Sequence, residues 1–215
     1  GDPAALVEAV GLIQTHRRTV VKVGGGARAF PRQVCVLVEA TGGVAVLSPG
    51  ALGALPDAHP QNMGVMGSKG SLSGNYATSQ ADLLIAIGSR GVCQADCSGT
   101  GYASADAVIN INADLGDVTH YNRTVALAGD IGVVISQIVE ALQKAGGADP
   151  ARAKAWLAAT TAKKQDWEAL RAERYAHPVL PDALWGRPVL TQPAAIKVAC
   201  DFAKAVGAVK FFDAG

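Results

Sequence analysis

The 215-residue chain is poor in aromatic residues (5%), carries almost no excess of either charge, has four cysteines, and contains no long apolar run. Each shortage removes a class of function. Single-stranded nucleic acid is held by stacked rings over a basic groove, but here Lys+Arg 19 against Asp+Glu 18 leaves a net charge of only +1. No stretch approaches the roughly 18–20 uninterrupted apolar residues of a membrane span. The longest apolar runs, such as Leu83-Leu84-Ile85-Ala86-Ile87, are of strand length. Gly1-Asp2-Pro3 lacks the basic-then-apolar pattern of a secretory signal. Cys35, Cys93, Cys97 and Cys200 are too few and scattered for a disulfide framework, so a reducing cytoplasm is expected. Neither nucleic acid nor membrane is expected as a partner.

What is present suits a packed α/β body. Hydrophobic residues make up 49% and charged residues 17%, enough apolar matter for a sizeable core. Asp2-Pro3 reads as the cap and first turn of a helix with Leu6, Ala9, Val10 and Ile13 on one face. A β-branched run, Thr19 to Val23, stops at Gly24-Gly25-Gly26 and is followed by a helix over about Arg32 to Ala40. The alternation continues: strand Val44 to Leu47, a Gly- and Pro-rich loop with a short strand near Gly64 to Met66, and a helix from about Ser71 to Gln80. Further strands are expected at Asp82–Ile87, Ala107–Ile111 and Val125–Ala128, the last leading through Gly129-Asp130 into a helix with Ile131, Val134, Ile135, Ile138 and Leu142 in register. Apolar strands separated by glycine turns and helices imply a parallel sheet covered on both faces.

Gly146 to Pro150 marks a boundary, with Asp149 as N-cap and Pro150 as the first residue of a helix to about Tyr175. His177 to Pro188 is expected to be an irregular strap, followed by a helix from Thr191 and a last strand over Val209–Phe212. The chain stops at Asp213-Ala214-Gly215, where a strand-end loop would begin, so the final segment is expected to be the truncated start of a second α/β domain.

Three features could carry chemistry. The turn Gly24-Gly25-Gly26 lies between a strand and a helix, where bare backbone can approach a phosphate, though it lacks the full G-x-G-x-x-G spacing and serves equally well as a tight turn. Gly88-Ser89-Arg90 and Gly129-Asp130 end other strands on the same rim, and Arg90 could fork onto a diphosphate. Cys93-Gln94-Ala95-Asp96-Cys97 lacks a second ligand pair, and His16, His59, His120 and His177 show no partner pattern, so no metal site and no catalytic constellation is expected.

Several segments carry a resemblance in an ordered set: Val20-Val21-Lys22-Val23-Gly24-Gly25-Gly26-Ala27, His59-Pro60 with Met63-Gly64-Val65-Met66-Gly67-Ser68-Lys69-Gly70-Ser71, Ala81 to Arg90, Ile109 to Asp114, and Ala128-Gly129-Asp130-Ile131. In this order and at these intervals the chain resembles the central domain of thiamine diphosphate-dependent enzymes of the acetolactate synthase and decarboxylase group. The resemblance implies a Rossmann-like, doubly wound, six-stranded parallel sheet. It places a central domain at 1–148, a linker helix and strap at 149–187, and the truncated start of the diphosphate-binding domain at 188–215.

By the same resemblance, relatives that bind FAD hold it along the strand ends. Those contacts carry onto Gly24, Gly25, Gly26, Met66, Gly67, Gly70, Ser71, Gly88, Arg90, Asp130 and Ile131. Flavin-binding relatives usually have aspartate where Asn110 stands, often histidine where Lys69 stands, and acidic residues where this chain has Gly91-Val92-Cys93-Gln94; central domains without a nucleotide are also common. The catalytic glutamate and the thiamine diphosphate–Mg²⁺ motif of such enzymes belong to the missing domains of the same polypeptide. The chain alone is thus expected to be inactive. Its parent is expected to be a homo-oligomeric lyase or transferase acting on a small 2-keto substrate. The competing readings are a stand-alone nucleotide-binding module of the same fold and an unrelated α/β interaction protein.

Overall fold

The Asp2 carboxylate accepts the Ala4 N–H and Pro3 occupies the first turn, so helix α1 (Pro3–Thr15) starts where the capping pattern places it. A computed structural model describes residues 2–91, 100–119 and 123–211, and the chain divides into two compact units, Gly1–Gln165 and Asp166–Gly215.

In the first unit, α1 is followed by β1 (Thr19–Val23), α2 (Pro31–Thr41), β2 (Val44–Leu47), β3 (Asn62–Val65), α3 (Leu72–Gln80), β4 (Leu83–Ile87), β5 (Ala107–Asn112), the short α4 (Leu115–Val118), β6 (Thr124–Ala128) and α5 (Ile131–Lys144). The six strands form one parallel sheet in the order β3-β2-β1-β4-β5-β6. This is the expected doubly wound, Rossmann-like arrangement, with the strand order reversing between β1 and β4. The strands are apolar on both sides because both sides are covered. Val21, Val23, Leu83, Ile85, Ile109 and Leu127 pack with residues of α1, α2 and α5 on one face. Val20, Val46, Leu84 and Val108 pack with Met63, Met66, Ala77 and Trp156 on the other.

Helix α6 (Pro150–Ala176) begins at the predicted cap: the Asp149 carboxylate accepts the N–H groups of Ala151 and Arg152. Its first half belongs to the first unit. There Trp156 is buried, stacks with Tyr76 at a centroid distance of 6.4 Å, and donates its indole N–H to the Thr19 carbonyl at 3.0 Å.

The second unit corrects two expectations. The supposed irregular strap holds an antiparallel hairpin, β7 (Val179–Asp182) and β8 (Arg187–Leu190), in which Pro181 faces Pro188. Neither proline can donate to a ladder, and antiparallel pairing has alternate positions that need no such donor, so the two fit opposite each other. Helix α7 (Gln192–Ala205) follows, but Ala208–Phe211 form no strand. A strand persists only beside a partner row, and none is supplied among the described residues. Among the described helices, none is long and apolar enough to cross a membrane.

Candidate functional site

Parallel strands put all six carboxyl ends on one edge, so the predicted contact residues do share a rim. They are spread across the width of the sheet. The turn after β3 and the turn after β6 leave the two outermost strands, separated by five strand spacings, or about 24 Å. Between them, at the reversal of strand order, lie the turns after β1 and β4.

This central pair is closed on itself. Gly24 donates its N–H to the Ile87 carbonyl at 2.8 Å and Gly26 donates to the Gly88 carbonyl at 3.0 Å. A Cβ on Gly24 would collide with the Gly88 carbonyl oxygen and lie 2.6 Å from Ser89 Cα. Gly88, at φ +54°, leaves no more room: a Cβ there would sit 2.7 Å from the Ala27 nitrogen. The glycines therefore serve a backbone-to-backbone crossing, and two of the amides expected to face a phosphate are already engaged. Gly25 alone borders open space, with Gly50 O 3.8 Å from where its Cβ would be. The turn continues as a five-residue 3₁₀ segment, Gly25–Ala29, before α2 begins at Pro31.

The outer turns are likewise engaged internally. Met66 is buried, and the Asn75 side chain accepts the Gly67 N–H (2.9 Å) and donates to its carbonyl (3.0 Å). Ser71 caps α3, accepting the Gly74 N–H at 2.9 Å, while its hydroxyl donates to Met63 O at 2.9 Å. A Cβ on Gly70 would lie 2.6 Å from the Val65 carbonyl oxygen, so that glycine lets the turn fold back over β3. Asp130 caps α5 by accepting the Val133 N–H at 2.9 Å, and Ile131 lies in the core. Arg90 is exposed and has no hydrogen-bond or ion-pair partner among the described residues.

Among the described residues of these turns, a diphosphate would meet the Arg90 guanidinium and one open glycine, Gly25. Among the described residues at the strand reversal, the Gly24 and Gly26 amides are thus engaged within the chain. There is no hard-oxygen set suited to Mg²⁺: the one group of three candidate ligands among the described residues is Cys35, Glu39 and His59, which includes a thiol and an imidazole. The pair Cys93 and Cys97, His120 and the terminal Asp213-Ala214-Gly215 lie outside the described residues.

Two polar residues lie beneath the rim: Asn110, which sequence reading singled out only as a departure from flavin-binding relatives, and Lys22, whose burial it missed. Lys22 and Asn110 flank Ala86 in one row across β1, β4 and β5, and both are fully buried. The Lys22 ammonium sits 5.9 Å from the centre of the Tyr102 ring, and burial lowers its pKa to about 7. Asn110 donates its amide to the Asp117 carbonyl at 2.8 Å, a bond that an ionised aspartate in its place could not make, while its Oδ1 has no partner. Lysine inside a five-residue β run was the available signal.

Comparison with known proteins agrees with this architecture. Residues 6–138 match the family model described as thiamine pyrophosphate enzyme, central domain. The chain is 30% identical over 133 residues to acetolactate synthase isozyme 1 large subunit of Escherichia coli K12, an alignment covering 61% of this chain and 24% of that protein. It is 33% identical over 138 residues to acetolactate synthase of Mycobacterium avium, covering 63% and 22% respectively. It is also 36% identical over 85 residues to acetolactate synthase 2, chloroplastic, of Zea mays, covering 40% and 13%. The chain thus spans about a quarter or less of the length of these relatives.

Proposed function

Because the chain belongs to the thiamine pyrophosphate enzyme family through its central domain, we propose that it is the non-catalytic central portion of a larger enzyme resembling acetolactate synthase. In this reading residues 1–148 form the central domain, 149–187 connect it, and 188–215 open the diphosphate-binding domain. The parent is a homo-oligomeric transferase or lyase that makes or breaks a C–C bond next to the carbonyl of a small 2-keto acid. Thiamine diphosphate and Mg²⁺ are held by other parts of that polypeptide, and no step of the reaction is assigned to this chain.

The observation that carries an architectural role is the closed seam at the strand reversal. There the Gly24 and Gly26 amides are bonded to the β4 strand and turn rather than turned outward. Two further facts support a larger whole: the quarter-length match to the relatives and the apolar side chains that the second unit leaves uncovered, Phe202 and Phe211 among them. The central domain is read as a spacer between catalytic parts.

The test is a titration of the purified chain with FAD, NAD, or thiamine diphosphate plus Mg²⁺, following flavin fluorescence, melting temperature and consumption of pyruvate. A chain with this role melts at the same temperature throughout and consumes nothing. Stoichiometric flavin, or a rise in melting temperature with FAD or NAD, would instead establish the stand-alone nucleotide-binding module. Turnover of the 2-keto acid would end the non-catalytic reading.

A further inference from the structure

Far from the rim, on the outer side of α2, three side chains converge that the linear sequence keeps apart. Cys35 and Glu39 lie one helical turn apart on α2, and His59 comes from the loop before β3. Cys35 Sγ is 3.7 Å from His59 Nε2 and 3.6 Å from Glu39 Oε1, and Nε2 is 3.3 Å from Oε1. A tetrahedral zinc ion with bonds of about 2.3 Å to sulfur, 2.05 Å to nitrogen and 2.1 Å to oxygen separates those donors by about 3.6, 3.6 and 3.4 Å. The three atoms therefore already stand at the corners of one face of such a tetrahedron.

We propose that Cys35, Glu39 and His59 form a binding site for a borderline-soft divalent cation of the zinc type, with water as the fourth ligand. The thiolate and imidazole select against Mg²⁺ and Ca²⁺, which take oxygen ligands. Access is open on the Glu39 side, where the side chain is 58% exposed, while His59 is only 12% exposed and fixed in place. The fixing is visible in the next residues. Gln61 donates its side-chain amide to Val38 O at 2.9 Å and Gly43 O at 2.6 Å, pinning the loop to the end of α2. Lys164 reaches only the backbone carbonyl of His59, at 3.5 Å.

Loading rearranges two protons. In the metal-free chain the Gln61 N–H donates to His59 Nδ1 at 3.2 Å, so the ring proton sits on Nε2 and points towards Glu39. Coordination through Nε2 moves that proton to Nδ1 and leaves the Gln61 N–H without its acceptor, a loss of about fivefold to tenfold in affinity. The Cys35 thiol, whose pKa is raised by burial and by Glu39, gives up its proton to solvent. Binding is therefore accompanied by acid release and tightens as pH rises.

The experiment is calorimetric titration of the metal-stripped chain with ZnCl₂ near neutral pH, paired with absorption of the Co²⁺-loaded protein. One cation per chain is expected, with tetrahedral d–d bands, a thiolate-to-cobalt charge-transfer band and a higher melting temperature in zinc. Cys35→Ser and His59→Gln should each weaken binding by more than about a hundredfold, since outer-shell changes alone cost about 10–100-fold. Glu39→Gln, at an exposed helix position, gives a variant whose fold is readily checked by circular dichroism, and it should also lose affinity. Cys93→Ser/Cys97→Ser should bind as the parent does. Absence of stoichiometric binding, binding unchanged by Cys35→Ser and Glu39→Gln, or binding lost only in Cys93→Ser/Cys97→Ser would each overturn the site.

Discussion

Lys22 in the first unit bears an ionisable amine and is wholly buried, whereas Phe211 in the second is aromatic and 92% exposed. The contrast holds through both units. In Gly1–Gln165 a six-stranded sheet has helices on each face, and its apolar strand residues are almost all inaccessible to solvent. In Asp166–Gly215 the hairpin and α7 carry Val179, Leu184, Trp185, Ile196 and Phe202 in the open, and only Ala194 is buried among the described residues. Local pattern is respectable in both units; what differs is the presence of a second layer. Burial is conferred by stacking one element on another, and a side chain's hydropathy only decides how much free energy that stacking releases.

Four substitutions, measured by urea denaturation followed by circular dichroism, break or sharpen this contrast. Ile85→Ala removes a fully buried side chain from the central strand β4 and should destabilise the first unit by about 4 kcal/mol. Lys22→Met comes next, through pH. With the folded pKa near 7 against an ordinary 10.5, the folded chain holds a neutral amine across that window while the unfolded chain holds an ammonium. Unfolding then takes up a proton, so stability rises with pH from about 7 to 10.5, and the full penalty is present below 7. Lys22→Met should abolish that slope and add about 3 kcal/mol near pH 6; a variant with the parent's pH dependence would show that Lys22 stays charged in the folded chain. Gly24→Ala, which forces a methyl group against the turn after β4, should cost about 2 kcal/mol. Phe202→Ala, at a side chain 67% exposed, should change stability by less than about 0.5 kcal/mol. If it cost as much as Ile85→Ala, the second unit would have a core of its own and the contrast would fail.

The first unit was legible because its signals agree. Most of the buried strands stand out as largely apolar runs ended by a turn residue, and α3, which has little apolar periodicity, falls where a helix from about Ser71 to Gln80 was expected. Where signals conflict, reading failed. The segment holding Pro181 and Pro188 was expected to be irregular, yet facing each other at a non-hydrogen-bonded position of an antiparallel ladder neither proline needs an N–H. Val209 to Phe212 read as a strand from composition alone, but its described residues, to Phe211, form none, because pairing is a tertiary fact that composition does not contain. The rim was legible in position and not in chemistry. Its glycines mark close approach, and only the structure shows that Gly24 and Gly88 approach each other. The cluster of Cys35, Glu39 and His59 was hidden for a different reason: His59 follows the helix residue Glu39 by twenty positions, with β2 in between.

The facing prolines of the hairpin have a further effect. In such a pair, backbone groups point outward to either side of the ribbon, and here the outward N–H is missing on both strands at the same level. An incoming β-segment from another molecule would find each margin of this apolar ribbon without a complete row of donors. An uncovered two-stranded piece is thereby guarded against templated growth into fibrils by ring chemistry, beside the charged pair Asp182 and Arg187 at the turn end of its strands.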